Sequence, residues 1–164
     1  MAFRMLIVAA IGLIGGRVAQ IYRRFEVAER SMEPTLSAGD YVVASRYVDR
    51  MQLGDIVVFE HPQQGGFWLV KRVIGVAGDV VVIDDGRVTR NGAAVDGLNT
   101  PGQGTWKVPA GALFVLGDNR QASSGDSRSL GPVSIGLVDG VVVFRYWPIP
   151  AFGPPGPAPS ATWN

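Results

Sequence analysis

The sequence predicts an all-β domain of antiparallel coiled sheets or a partly closed barrel, preceded by one N-terminal transmembrane helix. Three observations carry this. Short valine-rich runs recur through the chain after Phe25. No long segment of 3.6-residue periodicity separates them, which argues against βαβ units. The first twenty-odd residues have a different composition from all that follows.

The elements follow in order. Met5 to Gly16 carries no charge and lies between Arg4 and Arg17. Those twelve residues would rise about 18 Å as a helix, short of a hydrocarbon core of about 30 Å. Ala2 to Tyr22, with both arginines snorkelling, is long enough to span. Residues 1–22 are therefore read as a membrane anchor. A buried amphipathic helix and a cleaved leader are the rival readings, the latter weakened by the lack of a small-x-small site before a polar start. Gly12 and Gly16 form a GxxxG pair, weak evidence for helix association in a single short segment. Arg17, Arg23, Arg24 and Arg30 follow the apolar stretch whereas only Arg4 precedes it, so the positive-inside rule places the remainder in the cytoplasm.

Residues 23–147 form the β domain. Tyr41–Ser45, Asp55–Glu60, Phe67–Val76, Val80–Asp84, Ala112–Leu116 and Val138–Tyr146 are β-branched runs bounded by Gly, Asp, Pro or Asn. Asp84-Asp85-Gly86 and Arg90-Asn91-Gly92 read as hairpin turns. Gly97 to Lys107 reads as a loop. Pro148 to Pro159 holds six prolines in twelve positions, so 148–164 is expected to be an extended tail without a core.

Composition excludes much chemistry. The 164 residues contain no cysteine and one histidine, which removes disulfides, thiol nucleophiles, thiolate metal sites and multi-histidine metal sites. A net charge of +1 gives no reason to expect nucleic acid. GxxxxGK[ST], GxGxxG and HExxH are all absent. No cofactor and no metal is expected. His61, in Glu60-His61-Pro62-Gln63-Gln64-Gly65-Gly66, reads as a solvated turn residue, so a Ser-His-Asp triad is disfavoured.

Two residues remain. Lys71 lies in Phe67-Trp68-Leu69-Val70-Lys71-Arg72-Val73-Ile74. In a strand, 69, 71 and 73 share a face, which puts an ammonium between Leu69 and Val73. Desolvation there lowers a lysine pKa from about 10.4 toward neutrality, and a neutral lysine can take a hydroxyl proton. Arginine cannot, because it stays charged. The plainer alternative is a lysine snorkelling from an edge strand. Ser31, in Arg30-Ser31-Met32-Glu33-Pro34-Thr35-Leu36, is by itself as consistent with a turn or cap as with a nucleophile.

The ordered set is more specific than its parts. Ser31-Met32-Glu33-Pro34-Thr35-Leu36, Gly39-Asp40, Gly54-Asp55, Lys71-Arg72-Val73-Ile74-Gly75 with Gly78-Asp79, Gly117-Asp118-Asn119-Arg120, and Asp126-Ser127-Arg128 before Gly131 and Val133 resemble the boxes of the type I signal peptidases, in family order over Phe25 to Trp147. The resemblance implies a membrane-bound serine endopeptidase that cuts signal peptides from exported preproteins with a Ser–Lys dyad. Ser31 would be the nucleophile and Lys71 the general base, with the Ser31 N–H in the oxyanion hole. Ser124 is the favoured match to the serine that orients the lysine, with Ser123 as the alternative, because one extra residue separates Arg120 from Asp126. Asp118, Asn119, Arg120, Asp126 and Arg128 match site-shaping positions. Phe25, Val27, Leu36, Leu69 and Val70 match an apolar groove that admits small side chains, with core packing as the alternative for each.

Glu29 departs from the family, many of whose members carry Ser or Gly there. An inward carboxylate would repel an oxyanion, so it is expected to point away. The stretch from Lys71 to Asp118 holds hairpins but not a large accessory domain. The resemblance places the domain on the outer face of the cytoplasmic membrane, against the arginine distribution. A dedicated maturation protease for one partner, or a membrane-anchored domain that binds extended peptides without cutting them, are the competing functions. Signal peptides and the lipid bilayer are the expected partners; oligomeric state is not readable.

Overall fold

Strand order follows from where the β-branched runs find partners. A computed structural model describes residues 21–47, 50–157 and 159. The anchor reading, with its GxxxG pair, lies outside these residues except at its last two positions. Ile21 and Tyr22 are exposed, and Tyr22 already opens a strand. No helix among the described residues is long and apolar enough to cross a membrane.

Among the described residues, eleven strands form two antiparallel sheets. The first contains β1 (Tyr22–Glu26), β2 (Tyr41–Ser45), β3 (Ile56–Glu60), β4 (Trp68–Gly75), β9 (Ala112–Leu116), β10 (Val133–Ser134) and β11 (Val138–Trp147), in the order β1-β2-β11-β3-β4-β9-β10. The second contains β5 (Val80–Asp84), β6 (Arg87–Arg90), β7 (Ala93–Ala94) and β8 (Gly104–Lys107), in the order β7-β6-β5-β8. β1 and β10 are free edges of the larger sheet, so the expected partial closure into a barrel is not seen; the sheet is open.

Local chemistry explains most boundaries. Asp85 at φ 46° and Gly86 at φ 74° make the β5–β6 turn, and Asn91 at φ 53° and Gly92 at φ 84° make the β6–β7 turn. Positive φ at both central positions matches the right-handed strand twist, and Asn, Asp and Gly tolerate it. β8 corrects the loop expected over Gly97 to Lys107. Four of those residues pair with β5, and Trp106 packs on Phe114 with ring centroids 5.1 Å apart. That packing is a tertiary gain invisible in a Gly- and Pro-rich stretch.

The Pro-rich segment is only partly a free tail. Ile149–Ala151 forms a 3-10 turn, and Gly153 pairs back to Arg145 through two backbone hydrogen bonds of 2.8 and 3.0 Å. Phe152 meets Phe144 edge-on at 4.6 Å. None of residues 148–157 is buried, so this hook adds no core.

Three apolar clusters hold the sheets. One joins the small sheet to β9 through Ile74, Val81, Ile83, Val88 and Phe114. A second packs Val27, Met32 and Leu36 against Val42, Ile56, Val58 and Val142. The third packs Val57, Phe59, Leu69 and Val73 against Leu113, Val115 and Val133. β4 borders all three clusters, and Lys71 lies on it.

Candidate active site

Lys71 is in the centre of β4, opposite Val57 of β3. Strand alternation puts it on one face with Leu69 and Val73, and all three are buried. Its side chain is 1% exposed. The snorkelling alternative is therefore set aside. The chain's other lysine, Lys107, is exposed at the end of β8.

Ser31 lies in the turn between β1 and β2. Met32 and Leu36, both fully buried, pin this turn to the core, and Leu36 N–H donates to the Met32 carbonyl at 2.9 Å. The Ser31 carbonyl accepts from Asn119 N–H at 3.0 Å, which fixes the turn to the 117–120 loop. The two elements deliver one contact. Lys71 Nζ donates to Ser31 Oγ at 2.7 Å, in a site where both side chains are buried.

Burial shifts Lys71 toward the neutral amine relative to a free lysine. Burial lowers the Lys71 pKa below the ordinary lysine value; Asp126, Glu29 and Asp118 oppose this and Arg128 reinforces it. Asp126 itself stays below the usual carboxylate range. Burial would raise it, but hydrogen bonds from Arg128 and Ser123 and the Arg128 charge outweigh that.

The remaining candidates divide by position. Asp126 and Arg128 form a two-pronged pair, Nε to Oδ1 at 2.9 Å and Nη2 to Oδ2 at 2.8 Å, and Arg128 also donates to the Ser123 carbonyl. Ser123 is buried and donates from Oγ to Asp126 at 2.6 Å. Ser124 is exposed, and its carbonyl accepts from Ser129. Of the two serines matched to the lysine-orienting position, the favoured Ser124 faces solvent and the alternative Ser123 faces inward, onto Asp126. Gly117 explains how closely the loop approaches. A Cβ there would lie 2.5 Å from both Ser123 and the Ser31 carbonyl.

Asp118 accepts from Arg72 Nε at 2.8 Å and Nη2 at 2.7 Å, and from Thr35 Oγ1. This ties β4, the Ser31 turn and the 117–120 loop together beneath the dyad. Arg72 and Thr35 stand inside the quoted motifs, but the sequence assigns neither a role; the signal that could have found one is that a buried Arg needs a carboxylate partner, here Asp118. Arg120 makes its contacts within its own loop and with the 96–100 segment. It donates to the Gly117 carbonyl at 2.9 Å and Thr100 Oγ1 at 2.8 Å, and pairs with Asp96.

Phe25, Val27, Leu69 and Val70 line one cleft with Ser31 and Lys71, together with Trp68 and Val42. Leu36 does not. It is fully buried in the core behind this wall, which corrects its placement in the groove. Glu29 is exposed and lines the same cleft, and its charge is felt at Lys71, so it is not turned fully away as expected. His61 accepts from Gln63 N–H through Nδ1 in an outlying turn. Among the described residues no group of three or more His, Asp or Glu side chains is arranged to hold a metal ion.

The chain is similar to known proteins along most of its length. The family model "Signal peptidase, peptidase S26" matches residues 1–147. The mitochondrial ATP-independent inner membrane protease subunit 1b of Arabidopsis thaliana is 39% identical over 134 residues, covering 79% of this chain and 73% of the relative. Signal peptidase I of Leptolyngbya laminosa is 35% identical over 150 residues (82% and 73%), and that of Bacillus caldolyticus is 34% identical over 154 residues (80% and 83%). A crystal structure of a signal peptidase I from Enterococcus faecalis superposes with a TM-score of 0.50 at 31% identity, covering 57% of this chain and 97% of that one. The chain belongs to the signal peptidase family, peptidase S26, and is a serine peptidase of the type I signal peptidase kind.

Proposed function

We propose that this protein is a membrane-anchored serine endopeptidase that removes N-terminal signal peptides from exported preproteins through Ser31 and Lys71. The observation that carries the reading is the 2.7 Å contact between Ser31 Oγ and the buried Lys71 Nζ at the floor of an apolar cleft. Neutral Lys71 takes the Ser31 proton as Oγ attacks the scissile carbonyl. The Ser31 N–H, to which no acceptor is assigned among the described residues, stabilises the oxyanion. The Lys71 ammonium then protonates the leaving amine. In the second half, neutral Lys71 activates water, which releases the acyl group and restores Ser31.

Asp126, Arg128 and Ser123 position the lysine; Asp118, with Arg72 and Thr35, positions the serine turn. Asn119 holds the Ser31 carbonyl, and Arg120 braces the loop from behind. Phe25, Val27, Leu69 and Val70 receive small side chains at the first and third positions before the cut.

The segment that precedes β1 anchors the domain by a single pass, with the catalytic part outside the cytoplasmic membrane. The likeness to a mitochondrial inner membrane protease subunit favours a second reading, a dedicated maturation protease for a single partner protein. The test is incubation of purified full-length protein in detergent with a preprotein, the Ser31→Ala variant beside it. Cleavage at a single junction by the wild type alone supports the proposal; equal cleavage by both rejects it. A reporter fused after Trp147 and active only inside the cell would favour the second reading.

A further inference from the structure

Glu29 has no counterpart in the chemistry described above, yet it stands in the cleft. It is exposed, lines the cleft with Ser31 and Lys71, and makes no hydrogen bond or ion pair among the described residues. Neighbouring cations are engaged elsewhere: Arg30 Nε contacts both Glu33 oxygens at 3.1 Å, and Arg128 is held by Asp126. Glu26, the other acid of the cleft, lies beside Tyr41, whose pKa it raises. The rest of the lining is mostly apolar. The Arg23 guanidinium lies 5.2 and 5.1 Å from the Phe25 and Trp68 rings of the cleft wall, but it is paired with Asp139. Lys71 works as a base only when uncharged, so no cation of the cleft is paired with Glu29.

We propose that Glu29 is a specificity-determining residue that selects substrates carrying a lysine or arginine within two residues of the scissile bond. The inference rests on the Ser31–Lys71 reading. An unpaired carboxylate two positions before the nucleophile disfavours the developing oxyanion, and a substrate cation beside it offsets that repulsion. The same cation gains an ion pair on binding. The advantage therefore grows toward the transition state.

An exposed ion pair sets the scale, about a three- to fivefold preference that shrinks as salt screens it. The test uses full-length protein in detergent and matched peptides with alanine at the first and third positions before the cut. Lys, Gln or Glu is placed at the second position before the cut or at the first or second after it. The readout is the ratio of kcat/KM values for Lys against Gln peptides, because any effect of Glu29 on Lys71 itself acts on every peptide alike and cancels. Wild type is expected to prefer Lys over Gln over Glu at one of these positions at least. Glu29→Gln brings that ratio near one, and Glu29→Lys inverts it in favour of Glu. Ser31-dependent cleavage with no such preference, or a preference that survives Glu29→Gln, overturns the inference and leaves the dyad standing. Absence of Ser31-dependent cleavage of every peptide overturns the dyad reading and the inference with it.

Discussion

Ser31 Oγ and Lys71 Nζ, 40 positions apart in sequence, meet at 2.7 Å with both side chains buried. The lysine comes from a central strand and the serine from a turn pinned at Met32, Leu36 and the Asn119 N–H. A pair held on two such supports is preorganised before any peptide arrives.

The first consequence is an ascending limb in the pH–rate profile, set by Lys71 as the base. Burial holds the Lys71 pKa below the ordinary lysine value of about 10.4. Activity should rise with pH as Lys71 loses its proton, with the rise completed well below that value. A profile of kcat/KM against pH with no such limb counts against a depressed lysine.

Lys71 should also limit stability. A lowered folded-state pKa means that the unfolded chain binds the proton more tightly. Wild-type stability therefore increases as pH rises from the folded pKa toward about 10.4. Lys71→Met should be inactive yet more stable at neutral pH by about 1 kcal/mol, with the gain shrinking at alkaline pH. Denaturant melts at two pH values measure this, and a destabilised Met variant contradicts it.

Ser123 and Ser124 separate cleanly. Ser123→Ala removes the hydroxyl that donates to Asp126 beside Lys71 and should lower kcat by about 10- to 100-fold. Ser124→Ala removes an exposed side chain and should leave kcat unchanged. The reverse order would restore the alignment from the Asp126 side.

Breaking the brace beneath the site should cost stability before chemistry. Arg72 and Asp118 are 3% and 1% exposed, so Asp118→Ala strands a buried guanidinium. The expected loss is about 3–5 kcal/mol, read from urea midpoints. A loss under 1 kcal/mol would mean that Arg72 finds water.

Gly117→Ala should impair both properties, since the added methyl meets the Ser31 carbonyl and Ser123 at 2.5 Å. Overpacking of this kind costs about 1–3 kcal/mol and would displace the nucleophile. A variant with wild-type kcat and midpoint would show that the loop gives way freely.

Much of this was legible in sequence because the signals are local. Tyr41–Ser45, Val80–Asp84 and Ala112–Leu116 are strands with the bounds their β-branched runs suggest, and both hairpin turns lie where Asp-Gly and Asn-Gly place them. Lys71 stood out as a cation in an apolar run. What was not legible depends on partners distant in sequence. β8 owes its pairing to β5 and its packing to Phe114. Leu36 and Val27 are both apolar and near Ser31, and only the packing shows that one backs the cleft wall while the other lines it. Ser123 and Ser124 are adjacent and chemically identical, so the path of the loop decides between them.

The most direct test of the Ser–Lys account is preprotein processing by Lys71→Arg. Arginine keeps the charge and much of the bulk but cannot surrender its proton. The account predicts a loss of about a thousandfold or more, matching Lys71→Ala. Processing at the wild-type rate would contradict it.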